Sequence, residues 1–263
     1  MNPAREPFTL ARLFCLGDAL DLHKPHAAKT WREFFIELGT IVTGILIALA
    51  LEQAVEAWRD HRHVVDARAN IRAEISAHLG LLVRRSQTEA CISRRLDEVA
   101  GLIAQASAGK PAQGPIWIGH PAIWQLADGR YQSAVQSGSV SLMPSDEQAG
   151  YSNLYAAFAE YNATEKDEQN AWAELRTLEL QPATTPMSEW QLRSALEHAR
   201  TARWQMEATA GVARTSAKRL NIEPDGGVPF KLQSTCIPLH TPRAEALKLV
   251  VEGRPLHQVY DEP

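Results

Sequence analysis

The chain has 263 residues, 45% of them apolar and 22% charged, with 27 basic side chains against 31 acidic ones. A net charge of -4 excludes a nucleic-acid-binding domain built on counterion release, and 15 Gly with 15 Pro exclude a low-complexity chain. Three cysteines are too few for a disulfide scaffold.

The first element in chain order departs from everything around it. From Phe34 to Leu51 the chain reads FFIELGTIVTGILIALAL, in which Glu37 is the single ionisable group. Trp31 at one end and Ala54 and Val55 at the other extend it to the roughly 20 apolar residues that cross a hydrocarbon core. No polar face interrupts it from Leu38 to Leu51, unlike the core helix of a soluble protein, and Trp31 and Trp58 stand where interfacial aromatics belong. This predicts a transmembrane helix over 31–55. Arg12 breaks the earlier apolar cluster and no small-residue cleavage site follows Leu51, so the segment reads as an uncleaved signal anchor behind a short cytoplasmic segment, 1–30. Glu37 lies a turn from the interface, close enough to snorkel.

Thr30 and Glu33 have the spacing of a capping box, which starts the helix. From Glu52 to Leu79 there is neither Gly nor Pro, while Val64, Arg68, Ile71, Ile75, Leu79 and Leu82 recur at three- and four-residue spacing. The membrane helix is therefore expected to continue into water. Ile92, Leu96, Val99 and Ile103 resume the pattern, which ends at the breakers from Gly109 to Pro115.

The run Trp31-Arg32-Glu33-Phe34-Phe35-Ile36-Glu37-Leu38, then Gly44-Ile45-Leu46-Ile47-Ala48-Leu49, Glu52-Gln53 and Trp58-Arg59, resembles a group of uncharacterised bacterial single-pass membrane proteins. The resemblance covers about residues 31 to 80, and more loosely the stretch from Trp124 to Tyr155 containing Ser137-Gly138. It implies a topology and a helical fold, and no activity.

Beyond the breakers, Pro121 opens a short predicted helix through Trp124, Leu126, Tyr131 and Val135 to Ser137-Gly138. Ser145 to Gln148 reads as a second capping box. It introduces a long helix with a seam of Leu154, Phe158, Tyr161, Glu165, Glu168, Trp172 and Leu175. Ser188 to Gln191 reads as a third box, opening a last long helix through Leu192, Leu196, Ala199, Met206, Ala210 and Leu220. No segment alternates with period two, so the fold class is all-α: one N-terminal transmembrane helix continuing into an antiparallel, up-down helical bundle over 56–222. The Pro-rich tail, 223–263, is irregular apart from a helix from Pro242 to about Glu252. It is expected to pack on the bundle, because Phe230, Leu232, Ile237, Leu239, Leu247, Val250 and Val251 are too apolar for a solvated tail.

Few residues suggest chemistry. His61 and His63 point to different sides of a helix, where a zinc pair needs a spacing of four, and Cys236 with His240 lacks a second pair, so no metal site is assigned. No nucleophile elbow, glycine-rich phosphate loop or H-E-x-x-H motif occurs, and the expectation is a non-enzyme without a cofactor. Ser137 and Ser139 flank a helix-end glycine, where small polar residues belong. Tyr151, Tyr155, Phe158 and Tyr161 read as core. Glu165 and Glu168 on the seam imply either a helix projecting past its partners or a polar cavity inside the bundle, the one sequence hint of a binding site. Thr40, Gly44 and Ala48, four apart, form a small-residue groove suited to self-association of the span.

Positive charges tie across the span, with Lys24, Lys29 and Arg32 against Arg59, Arg62 and Arg68. The signal-anchor reading places the N-terminus inside and the C-terminal domain in the periplasm of a bacterial inner membrane. Cys91 and Cys236 would then share an oxidising compartment, with Cys15 on the reducing side. At about 1.5 Å per residue, Cys91 stands roughly 55 Å past Val55 and the last helix climbs roughly 50 Å, so the tail can bring Cys236 to that height. A bridge and two buried thiols remain open alternatives. The function expected is a membrane-anchored helical module working through contacts with a protein partner, with a ligand-sensing bundle as the alternative. Its partners are the lipid bilayer, a second copy through the span and an unidentified protein, and no nucleic acid.

Overall fold

The computed structural model describes residues 30–110, 114–180, 186–226 and 232–252, and every regular element among them is helical. In chain order these are α1 (Trp31–Ser107), α2 (Gly129–Gln136), α3 (Ser145–Leu175), α4 (Pro186–Arg219) and α5 (Arg243–Glu252), with short 3-10 turns at Val140–Leu142, Arg176–Glu179 and Ser234–Cys236. The protein is an all-α helical bundle. The chain divides into two units, up to Trp58 and from Arg59. The N-terminal segment before Thr30, with Cys15, Lys24 and Lys29, lies outside the described residues, as does Phe230.

In the first unit, the Thr30 hydroxyl accepts the Glu33 N–H at 3.4 Å and its carbonyl accepts the Phe34 N–H at 3.2 Å, so α1 starts where the capping box predicts. From Trp31 to Trp58 every side chain is exposed. The apolar window has a mean hydropathy of 2.3 and none of it is buried. α1 is continuous to Ser107: neither Gly nor Pro interrupts it from Glu52 to Leu79, and it carries Gly80 and Gly101 without a break.

In the second unit, α1 supplies Ile71, Ile75, Leu79 and Leu82 to a core shared with Tyr151, Leu154, Phe158 and Tyr161 of α3 and with Met206, Ala210, Ala213 and Ala217 of α4. A second core joins Ile92, Leu96, Val99 and Ile103 to Trp172 and Leu175 of α3 and to Leu192, Ala195, Leu196 and Ala199 of α4. The first core joins the earlier part of this stretch of α1 to the early part of α3 and the late part of α4, and the second joins the later parts of α1 and α3 to the early part of α4. α1 and α3 are therefore parallel and α4 is antiparallel to both. The cross-helix pairs Arg68–Glu147, Tyr155–Glu74 and Arg85–Glu168 say the same, with sequence separations of 79, 81 and 83.

The up-down order expected from short loops thus holds for α3–α4 and α4–α1, but not for α1–α3. The reason is the long connection between Ser107 and Ser145, which brings the chain back along the bundle before α3 begins. Most of that connection is not the helix predicted from Pro121: residues from Pro115 to Asp128 have no regular structure, and α2 begins only at Gly129. Two further helix starts differ from expectation. Ser145 is the first residue of α3 rather than its cap, Pro144 having no capping side chain, and Gln148 instead donates to the Met143 carbonyl at 2.8 Å. α4 begins at Pro186, ahead of Ser188, with Pro at the position its fixed φ favours.

The tail packs on the bundle around a disulfide between Cys91 and Cys236, whose Cα atoms are 4.9 Å apart. Trp117, Leu232, Ile237 and Ala246 surround it. Leu247 and Val251, expected to be covered, are exposed, because α5 buries only Ala246 fully and shields Leu249 and Val250 in part. At the other end Gly80 meets the tail so closely that a Cβ there would stand 2.4 Å from the Asp225 carbonyl oxygen.

Candidate functional site

The irregular segment from Pro115 to Asp128 is a strap, and two carboxylates and one side-chain amide of α3 and the turn after it hold it. An irregular buried backbone must find partners for its N–H groups outside any helix or ladder. Here the Glu179 carboxylate accepts the N–H groups of Ile118 and Gly119, both at 3.0 Å, and Glu165 accepts the N–H of Trp124 at 2.9 Å. The Asn162 side chain completes the set, accepting from Leu126 N–H at 3.0 Å and donating to the Leu126 carbonyl at 2.9 Å. Gly119 has a φ of +66°, and a Cβ there would lie 2.9 Å from the Ser234 carbonyl oxygen, so only glycine fits between strap and tail.

Arg95 serves the strap's carbonyls. Its side chain is 1% exposed and donates to the backbone oxygens of Trp117, Ile118 and Ile237, and to Glu98 at 2.7 Å. One α1 cation therefore ties strap and tail to the bundle beside the disulfide. His78 adds a 2.5 Å contact from Nε2 to the Ala127 carbonyl.

Glu168 is spent differently. It is 2% exposed and pairs with Arg85 of α1 at 2.5 Å. Burial pulls the Arg85 guanidinium pKa down, but attraction to Glu168 and Tyr161 and the hydrogen bond to Glu168 outweigh it, so the pKa lies above its ordinary value. Glu165, one turn earlier, has no such cation bonded to it among the described residues. Burial pushes its carboxyl pKa up, against the opposing pull of the Trp124 N–H and Arg85. Tyr161 closes the cluster: its phenol is pushed up by burial, and its hydroxyl has no hydrogen-bond partner among the described residues.

Of the two alternatives posed from sequence for the seam carboxylates, the projecting helix does not hold. Their helix does not project beyond its partners, since both are buried, and much of their bonding capacity goes to the strap and to Arg85. A cleft of about 220 Å³ does open beside them, between the strap at Pro121, Ala122 and Ile123 and the α3 face carrying Glu165, Glu168 and Trp172.

The other sequence candidates fall apart from this site. Tyr151, Tyr155, Phe158 and Tyr161 are core, with Tyr155 stacked on Tyr131 at 4.3 Å between ring centroids. Ser137 and Ser139 bond each other at 2.9 Å in a turn where Gly138 has a φ of +76°. His61 and His63 are exposed, and Cys236 is bonded to Cys91 rather than grouped with His240. No group of three or more His, Cys, Asp or Glu that could hold a metal occurs among the described residues. Thr40, Gly44 and Ala48 are exposed. The Thr40 hydroxyl donates back to the Ile36 carbonyl at 2.9 Å, and nothing lies within 4 Å of a Cβ placed on Gly44.

Sequence reasoning missed Arg85, Arg95 and Glu179. A signal for the arginines was present. The apolar stripe lapses between Leu82 and Ile92, and there the helical spacing puts Arg85 and Thr88 on the inward face, with Arg95 one turn beyond. Nothing in the sequence tied Glu179 to the strap, because their partnership spans 60 residues.

Fold and site together define a helical-bundle protein with, among the described residues, one helix long and apolar enough, by length and composition, to cross a membrane. Comparison with protein-family models, with curated proteins and with solved structures finds no match to this chain.

Proposed function

We propose that the protein is a single-pass, membrane-anchored helical module that works through protein contacts, as in the uncharacterised bacterial group its span resembles. The carrying observation is the apolar window of α1, with mean hydropathy 2.3 and no part of it buried. Uncovered apolar surface of that extent marks a membrane or interaction site, and its helical form satisfies every backbone group inside lipid. The disulfide supports placing the bundle in an oxidising compartment, hence the periplasmic face of a bacterial inner membrane. For the protein contact, support comes from α4, where Trp190, Trp204 and Val212 are 67%, 69% and 58% exposed and recur at helical spacing on one face.

Alkaline extraction of membranes tests the anchor: the full chain should stay in the pellet, and its release would sink the proposal. A phosphatase fused after residue 263 should be active; activity of a cytoplasmic reporter there instead would reverse the topology. For the contact, a photoreactive side chain at position 204 should give one discrete adduct in intact cells, lost when Trp190→Asp is added. Absence of any adduct would remove the partner from the proposal.

A ligand-sensing bundle is the second reading, favoured by the cleft beside Glu165 and Glu168.

A further inference from the structure

The cleft between strap and α3 has a mixed wall. Pro121, Ala122 and Ile123 on one side and Trp172 on the other give it an apolar body, while Glu165 and Glu168 bring carboxylates to it. Both carboxylates are at least nine-tenths buried, but their charges are not equivalent. Arg85 neutralises Glu168 through a buried pair, whereas Glu165 is bonded to the backbone N–H of Trp124. A buried carboxylate bonded to one amide, whose nearby guanidinium, Arg85, is hydrogen-bonded to Glu168 instead, is electrostatically incomplete, and a cation in contact with it restores the balance.

A second observation is independent of the acidic pair. Trp172 is 1% exposed, and its indole N–H has no hydrogen-bond partner among the described residues. Buried donors are nearly always satisfied, so an orphan on a residue of the cleft wall calls for an acceptor that the described residues do not supply. The Nε–H of Arg176, also in the wall, makes no hydrogen bond among the described residues, although its guanidinium is ion-paired with Glu179 at 3.7 Å. Glu165 and Trp172 are seven residues apart on one helix face, about 10 Å along the axis. At about 220 Å³ the cleft lies below the range of roughly 300–1,000 Å³ typical of drug-sized sites.

We propose that this cleft binds a small organic ammonium ion: its charged nitrogen on Glu165, its apolar body against Trp172 and Ile123, and a hydrogen-bond acceptor at its other end on the Trp172 indole N–H. The ligand-sensing reading is thereby extended to a chemical class. The site lies wholly within the bundle, so its occupancy is tested separately from the anchor.

The experiment titrates full-length protein in nanodiscs with tyramine, and with phenylacetate and 2-phenylethanol as anionic and neutral counterparts, by calorimetry and thermal shift. Tyramine should bind saturably and raise the melting temperature, with the other two at least tenfold weaker. Glu165→Gln keeps an acceptor for the Trp124 N–H but removes the charge, and should weaken tyramine at least tenfold while the protein still melts cooperatively. Ile123→Trp, on an exposed wall position, should abolish binding by filling the cleft without touching the buried cluster. Tyramine binding should also fade as pH falls and the Glu165 carboxyl, whose pKa is raised, takes up a proton. No saturable tyramine binding, equal binding of phenylacetate, or unchanged affinity in both variants overturns the proposal. Stabilisation by neutral or anionic compounds alone would keep the ligand-sensing reading and overturn the ammonium class.

Discussion

One helix, α1, carries two physical regimes. Between Phe34 and Leu51 it is apolar but for Glu37 and two threonines and buries nothing, while between Ile71 and Ile103 it buries an apolar stripe together with two arginines. The first stretch offers its surroundings no charged group except near its end, and its Thr40 hydroxyl bonds back to its own helix, so what it needs is an apolar solvent. The second buries charge inside a protein core, which is sustained because both guanidiniums meet acceptors: Arg85 pairs with Glu168 through Nη2, its Nη1 making no hydrogen bond among the described residues, and Arg95 meets three backbone carbonyls and Glu98. The lesson is that apolar content alone does not tell core from span. A run with no polar side chain is built for lipid, and a core helix shows itself by the partners of its few polar residues.

The largest effect expected is in the bundle half. Arg85→Met leaves Glu168 buried and unpaired, which should destabilise the protein by about 3–5 kcal/mol in denaturant unfolding followed by circular dichroism. Adding Glu168→Leu to it should recover most of that loss, because the desolvation of both charges disappears together. If the double variant is as unstable as the single one, the pair is not the source of the cost.

Next is the disulfide. Cys91→Ala with Cys236→Ala opens a bridge across a separation of 145 residues, and the chain-entropy view predicts a loss of about 2–5 kcal/mol. The loss should be reproduced in the unmutated protein by a reductant. A melting temperature indifferent to both would show that the tail is held by Arg95 and the strap without the bridge.

The anchor half answers to a different measurement. Leu46→Arg should reduce membrane insertion by the equivalent of about 2.5–3.5 kcal/mol, read as the glycosylated or protease-protected fraction in an insertion assay. Denaturant unfolding of the bundle should stay where it was. A matching fall in bundle stability would break the distinction between the two regimes.

The smallest effect concerns pH. Arg68 donates two hydrogen bonds to Glu147, at 2.7 and 2.8 Å, and this bonding, ahead of all other causes, holds the Glu147 carboxyl pKa below its ordinary value. A carboxyl lowered in the folded state contributes stability above its unfolded pKa, and that contribution is lost as pH falls through the folded value. Glu147→Gln should therefore cost under about 1 kcal/mol near neutral pH, because the Arg68 side is about a third exposed, and nothing in strong acid. Glu165 has the opposite sign. Its raised pKa favours the folded state below the unfolded pKa and loses that advantage as pH rises through the folded one, so Glu165→Gln should flatten the acid limb in the other direction. Equal pH profiles for the two variants would contradict the assignment.

The sequence by itself determined the helices and their inward faces. Three- and four-residue spacing picked out the buried residues of α1, α3 and α4, including Glu165 and Glu168 on the α3 seam, and the breakers marked where α1 ends. Periodicity is local, so it is readable. Only the tertiary structure decided how those faces meet. The parallel order of α1 and α3 depends on a connection that abandons helical structure at Pro121. It can do so because Glu179, Glu165 and Asn162 supply its backbone with partners. Pattern alone saw a proline at a favourable first position and apolar residues at helical spacing, and read a helix there. The Glu179, Glu165 and Asn162 side chains that bond the strap's N–H groups lie 36 to 61 positions away, and no local rule contains them. The cleft has the same origin. Glu165 was visible as an odd polar residue on an apolar seam, but what it faces is set by a strap, a tail and a disulfide that meet only when the chain is folded.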